Sequence, residues 1–176
     1  SRKGKQVVEL PKGVEVTLNG KSIKVKGPKG TQTLDIVSGI EVKQEADGLH
    51  VILVSGPSKF HGLMRSLIAN MVHGVTEGYN KSLEMIGVGY RAAVQGQKID
   101  LQIGTSHPVS LEIPSEIQVK VEKNNLIHIS GHDCREVGQF AANIRAKKPP
   151  EPYQGKGIRY VGEYVRKKAG KAAAKK

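Results

Sequence analysis

The feature that most constrains what this chain can fold into is a pattern that occurs twice: short alternating segments that read as strands, then one amphipathic helix, then the same order again. In VEVTLNGKSIKVKG, Val14, Val16 and Leu18 share one face, and Ile23 and Val25 resume the alternation after a tight Asn19-Gly20 turn, the pattern of a β-hairpin. TQTLDI, IEVKQE and LHVILV supply further strands, separated by the turn signals Gly30, Ser38-Gly39 and Asp47-Gly48. After Gly56-Pro57-Ser58 the period changes. Met64, Leu67, Ile68 and Met71 fall at i, i+3, i+4 and i+7, which predicts a helix capped by Ser58 and ending near Gly74 or Gly78.

The second round runs through SLEMIGVGYRAAVQ, KIDLQI, VSLEI, IQVKVE and LIHIS to a helix from Asp133. There Asp133 and Glu136 have capping-box spacing, and Val137, Phe140, Ala141 and Ile144 repeat the helical stripe. Gly20 and Gly96, Ile23 and Ile99, Val25 and Leu101, Val51 and Ile127, and Leu53 and Ile129 each lie 76 positions apart. Ile40 and Ile117 are off by one, and Ala69-Asn70-Met71 matches Ala142-Asn143-Ile144 at an offset of 73, so the duplication carries small insertions and deletions. An antiparallel sheet with one apolar face needs a cover. The expected fold class is therefore α+β, two tandem copies of a small antiparallel sheet packed on one helix, followed by an extended basic C-terminal tail. The expected boundaries are 1–81, 82–148 and 149–176.

Charge narrows the function. The chain of 176 residues carries a formal +12, and the charge is segregated. From residue 145 onward, eleven Lys or Arg stand against Glu151 and Glu163, while residues 1–30 hold eight against two and residues 31–144 nine against twelve. Basic ends around an acidic middle fit a protein pinned to a polyanion, because Lys and Arg gain affinity by displacing the counterions condensed on phosphates. No apolar stretch approaches 18 residues, which argues against a membrane protein, and a single cysteine, Cys134, fits a reducing, cytoplasmic setting.

Most enzyme-like motifs fail on inspection. Gly20-Lys21-Ser22 resembles the end of a phosphate-binding loop, but Glu15 stands where that loop requires glycine. Gly87-Val88-Gly89 opens like a dinucleotide fingerprint, yet Ala92 falls in a strand, so these glycines are read as a bulge, a tight bend or a close backbone approach. His128, His132, Asp133 and Cys134 lack the spacing of a metal site, and Asp133 is better used as a helix cap. Lys59, His61 and Arg65 near the first helix read as a solvated helix face, with RNA contact as the alternative. His107 in GTSHPV either reaches a phosphate or base or is a plain turn histidine. No pair of carboxylates or histidines suits acid–base catalysis, so no enzyme, cofactor or metal is expected.

The strongest constellation is RAKKPPEPYQGKGIRYVGEYVRKK, Arg145 to Lys168. Pro149, Pro150 and Pro152 forbid further helix and hold an extended path, Gly155 and Gly157 let the backbone approach another chain, and Tyr153 and Tyr160 can stack on bases or sugars. Prolines also reduce the entropy lost on docking. The strands lack the paired aromatics of sheet-based single-strand binders, so a folded RNA, read by shape and backbone, is the expected target.

Within this segment PEPYQGKGIRY resembles the signature of the bacterial large-subunit ribosomal protein six family. MIGVGYRAAV, GTSHPV, LPKGVEV with its NGK turn, and NMVHGVTEGY resemble the same family in the same order, covering nearly the whole chain. Gln154 departs from the family's usual lysine, and Thr105 from a frequent aromatic. The resemblance implies two tandem modules and a cytoplasmic protein of the ribosome with no catalysis of its own. It further implies binding to 23S ribosomal RNA near its 3′ domain, beside the sarcin-ricin loop and the stalk base, where translational GTPases dock, mainly through the C-terminal module. Neighbouring large-subunit proteins are implied as partners, with no membrane and no homo-oligomer; the alternative is a free RNA chaperone or regulator. The candidate RNA contacts are Arg91, His107, Lys147, Lys148, Tyr153, Gln154, Lys156, Arg159, Tyr160, Arg166, Lys167 and Lys168.

Overall fold

The structure, a computed structural model, describes residues 1–123 and 125–170. Its order of elements repeats. A three-stranded antiparallel sheet of β1 (Glu15–Leu18), β2 (Ser22–Gly27) and β3 (Gly30–Asp35) is followed by the hairpin β4 (Ile40–Glu45) and β5 (Gly48–Leu53), then helix α1 (Ser58–Thr76). After β6 (Tyr79–Ile86) come a second three-stranded sheet, β7 (Arg91–Gln95), β8 (Lys98–Gln102) and β9 (Val109–Glu112), a second hairpin, β10 (Ile117–Glu122) and β11 (Leu126–Gly131), and helix α2 (Cys134–Lys147). The last strand, β12 (Gly157–Tyr160), completes a four-stranded sheet in the order β10-β11-β6-β12.

The chain divides into two compact units, Ser1–Tyr79 with His132–Cys134, and Asn80–Gly131 with the chain from Arg135 on. The fold is α+β, with the strands of each copy divided between two small sheets rather than gathered in one. The 76-residue offset is a structural equivalence. Gly20 and Gly96 occupy the same place in the β1–β2 and β7–β8 hairpins, with φ of 65° and 61°, a left-handed conformation that glycine adopts without the Cβ penalty. Behind these turns, Ile23, Val25, Ile99 and Leu101 are all fully buried.

In the first unit α1 lays Met64, Ile68 and Met71 on a core that includes Ile23, Val25 and Leu49, and Leu67 sits at its margin. The residue before the helix is not the expected cap. Pro57, at φ −69° and ψ 133°, takes the N-cap position and Ser58 is the first helical residue, with no side-chain cap bond. Proline has no side-chain acceptor to offer, and the first turn closes through the Phe60 N–H on the Pro57 carbonyl at 3.2 Å. At the other end the N–H groups of Glu77 and Gly78 both donate to the His73 carbonyl, and Gly78 turns left-handed at φ 77°. The expected solvated face holds at Lys59 but needs correction at His61 and Arg65. His61 is buried, with Nε2 2.8 Å from the Val51 carbonyl oxygen, and Arg65 donates to the carbonyls of Gln6 and Val7, fastening the N-terminal segment.

In the second unit Val137, Phe140, Ala141 and Ile144 of α2 are all buried, as their spacing predicts. The stretch read as one strand, SLEMIGVGYRAAVQ, breaks at Gly87–Tyr90. Gly89 takes φ 75°, and a Cβ on Gly87 would lie 2.7 Å from the Tyr90 ring, so these glycines make a bend with close side-chain approach.

The tail differs most from a plain extended chain. Gly157–Tyr160 pairs antiparallel with β6, in the register Gly157 with Ile86 through Tyr160 with Leu83. Ile158 is fully buried, and its N–H donates to the Lys148 carbonyl at 2.8 Å. Gly157 is required where the chain crosses itself, since a Cβ there would lie 2.6 Å from the Pro149 oxygen at φ 142°. A segment that fills the core must contribute to stability. Ile158→Ala is expected to lower the unfolding free energy by about 2–5 kcal/mol in urea denaturation, as for a core aliphatic residue, whereas a solvated tail would show no change.

Candidate nucleic-acid interface

Helix α2 carries Arg145 and Lys147 in its last turn, where cations meet the negative end of the helix dipole, and Lys148 follows it directly. Pro149 and Pro150 then turn the chain out of the helix. A compact loop follows in which Glu151 N–H donates to the Lys156 carbonyl, Gly155 N–H to the Glu151 carbonyl, and Gln154 N–H to the Glu151 carboxylate. Gly155 adopts φ 75°, which lets the chain reverse into β12. Past β12, Glu163 N–H donates to the Tyr160 carbonyl across a turn with Gly162 at φ 81°. Farther on, Lys168 N–H reaches back to the Pro152 carbonyl at 2.8 Å. The basic segment is thus a closed strap on the second unit.

Two ion pairs hold it. Arg159 Nε donates to Glu84, its register partner on β6. Arg145 grips Glu163 with both prongs of its guanidinium, Nε donating to Oε2 at 3.0 Å and Nη2 to Oε1. The same Oε2 accepts the Tyr160 N–H at 3.0 Å, and Arg145 lies 6.0 Å from the Tyr160 ring centroid. The Arg145 hydrogen bonds hold the Glu163 carboxyl below its ordinary value of 4.5, with help from the Tyr160 N–H and the charges of Arg145 and Arg159. Correspondingly, Glu163 raises the pKa of Arg145. Charge-assisted, two-pronged pairs of this kind fix geometry as well as adding energy.

The candidate contacts divide by exposure. Lys147, Tyr153, Gln154, Lys156, Arg166, Lys167 and Lys168 face solvent, and Lys148 is half-buried. None of these lysines and arginines has an acidic partner among the described residues. Arg159 and Tyr160 are half-buried, with the Arg159 head engaged by Glu84. Sequence reasoning missed one aromatic: Tyr164 is 88% exposed, more than Tyr153 at 58%. Its signal was its place in the cationic run, immediately after Glu163. Lys171, Lys175 and Lys176 lie outside the described residues.

Arg91 and His107 belong to a different surface. Arg91 opens β7 opposite Gln102 and, with Gln95, Asp100, Gln102, Pro108 and Ser110, lines a shallow groove on the outer face of the β7-β8-β9 sheet. His107 is exposed in the loop between β8 and β9, where its carbonyl accepts from the Thr105 hydroxyl at 2.5 Å. Among the described residues, three potential metal-ligating side chains converge only at Glu45, Asp47 and His50, an exposed group at the β4–β5 turn in which His50 already meets Asp47 at 2.9 Å. The His128–Cys134 stretch forms no such group; His128 Nδ1 lies 2.9 Å from the Ser82 hydroxyl.

The Arg145–Glu163 pair gives stability a pH dependence with a definite sign. A carboxyl whose folded pKa is depressed contributes stability in full above its unfolded value and loses it as pH falls through the folded one. Thermal melts from pH 7 downward should therefore show a loss of stability setting in near pH 4.5 and continuing below it. Glu163→Gln should flatten that part of the curve.

Comparison with known proteins completes the picture. The family model for ribosomal protein L6 matches residues 10–78 and 86–161, one span over each copy of the repeat. A protein of Protochlamydia amoebophila named large ribosomal subunit protein uL6 is 60% identical over 179 aligned residues, covering 100% of this chain and 99% of that protein. Proteins of the same name from Chlamydia felis and Chlamydia trachomatis serovar L2 are 56% and 52% identical, each over 98% of this chain and 97% of the relative. With the duplicated α+β unit, the PEPYQGKGIRY strap and a match along the full length, the chain belongs to the ribosomal protein L6 family of structural proteins of the large subunit.

Proposed function

We propose that this protein is a structural, RNA-binding constituent of the large ribosomal subunit, and that its second module, 82–148, with the extension from 149 onward, makes the main contacts with 23S ribosomal RNA. The site on that RNA is its 3′ domain, beside the sarcin-ricin loop and the base of the stalk. There the protein holds RNA tertiary structure near where translational GTPases dock, among neighbouring large-subunit proteins. The observation that carries the reading is the strap itself. Lys147, Lys156, Arg166, Lys167 and Lys168 are solvent-facing cations without acidic partners among the described residues, on backbone fixed by β12 and by the Lys168–Pro152 hydrogen bond. Cations on a fixed frame meet phosphates at lower entropic cost than cations on a free tail.

The extension and the second module contribute differently in this reading. Tyr153 and Tyr164 offer faces for stacking on unpaired bases, a contact worth about 1–3 kcal/mol by alanine substitution. Arg91 and His107 extend the RNA surface onto the β7-β8-β9 sheet, where polar and small side chains suit backbone and 2′-hydroxyl contacts of an RNA helix. The relatives' shared name places them in the large subunit, which supports assignment of this chain to the same particle. No described helix is long and apolar enough to cross a membrane.

The test is a salt series with a 23S 3′-domain fragment and the full chain carrying Lys156→Ala, Arg166→Ala, Lys167→Ala and Lys168→Ala together. Affinity should drop at least tenfold or so, and the slope of log K against log salt should become shallower by about three, as expected for losing roughly four phosphate contacts. An unchanged slope would move the RNA surface away from the strap.

A further inference from the structure

Glu163 is an acid retained inside the most basic stretch of the chain. A carboxylate beside RNA phosphates repels them, and the charge argument alone would count this residue against function. Its geometry gives it another task. Both carboxylate oxygens are used: Oε1 by Arg145 Nη2, and Oε2 by Arg145 Nε and the Tyr160 N–H, each at 3.0 Å. The Glu163 side chain is 24% exposed and that of Arg145 32%, so neither is a freely solvated surface charge. The pair ties the last turn of α2 to the turn that follows β12, at the point where the chain departs into Tyr164–Lys168. The far end of that departing segment is tied separately, by the Lys168 N–H on the Pro152 carbonyl.

The geometry points to Glu163 as a positioning residue for RNA recognition: by clamping Arg145 it fixes the direction in which Tyr164, Arg166, Lys167 and Lys168 leave the β12 turn, so that this acid strengthens binding to an anionic ligand. The inference rests on the proposed function, since it assumes that the strap meets RNA. It separates cleanly from simple electrostatics. Glu163→Gln removes one negative charge and releases Arg145, so a purely Coulombic surface would bind RNA more tightly. A positioning role requires the opposite, because the strap then pays on binding the ordering cost that the clamp had removed beforehand.

The experiment is a cycle of full-length variants measured against the 23S 3′-domain fragment at neutral pH and fixed salt: the unmodified chain, Glu163→Gln, the triple variant Arg166→Ala, Lys167→Ala, Lys168→Ala, and their combination. Glu163→Gln is expected to weaken binding about five- to tenfold, the cost of re-ordering a few long side chains. In the triple background it should have little further effect, since the groups it positions are gone. Arg145→Lys, which keeps the charge but loses the two-pronged grip, should weaken binding in the same way if the clamp is what matters. Binding unchanged or tightened by Glu163→Gln, or an equal loss in both backgrounds, would overturn the inference. If the triple variant itself binds as well as the unmodified chain, the strap is not the RNA surface, and it is the proposed function that fails. Circular dichroism and melting of each variant show whether the second unit remains folded. If Glu163→Gln unfolds it, Arg145→Lys, which retains the ion pair, decides by the same cycle.

Discussion

A strand at the edge of a sheet carries a row of unpaired N–H and C=O groups, which must meet water, another chain or a cover. In the second unit β6 would be such an edge, and the chain's own C-terminal segment closes it, Gly157 to Tyr160 lying along Ile86 to Leu83. Everything after the second helix depends on this pairing. It takes Ile158 out of water, brings Arg159 opposite Glu84, and sets Tyr160 where Arg145 and Glu163 meet beside it. In the first unit the antiparallel bridge between Val8 and Leu49 stands where β6 meets β11 in the second, and among the described residues no strand there takes the place of β12. The duplicated fold is thus not used equally in its two copies, and only one carries a basic strap locked to its sheet.

The consequence for function is one of division of labour within a single segment. Apolar and ion-paired groups, Ile158, Arg159 and Arg145, face the protein and hold the strap, while Lys147, Lys156, Arg166, Lys167 and Lys168 face outward. Because Ile158 and Arg159 lie between Lys156 and Arg166, deletion of the segment would remove a core strand together with the cations. Point substitutions that leave β12 in place separate the two roles.

Much of this was legible in the sequence, for identifiable reasons. Period-2 and period-3.6 patterns are local, so Ile23, Val25, Ile99 and Leu101 announced their strands, and the stripe from Val137 to Ile144 announced its helix. Gly20 and Gly96 marked equivalent turns because left-handed backbone leaves few other choices. The strand GIRY was not legible. It is only four residues long, sits among prolines and glycines that signal an extended loop, and owes its existence to a partner more than seventy residues earlier. Glu163 was hidden for the same reason, since its meaning lies in a long-range grip on Arg145, though a lone acid kept between Tyr160 and Arg166 was a usable clue. His61 misled because its burial depends on the N-terminal segment, where a Cβ on Gly4 would lie 2.5 Å from its ring.

The most direct test of this account is amide hydrogen exchange on the full chain free of RNA, read at Ile158 and Val161, whose N–H groups donate to the Lys148 and Ser82 carbonyls. If the C-terminal segment is a built-in strand, these amides will be protected to a degree comparable with Met85 on β6, while those of Arg166 and Lys167 exchange quickly. Rapid exchange at Ile158 and Val161 without RNA, with protection arising only on adding the 23S fragment, would contradict it, making the segment a tail that folds on its ligand.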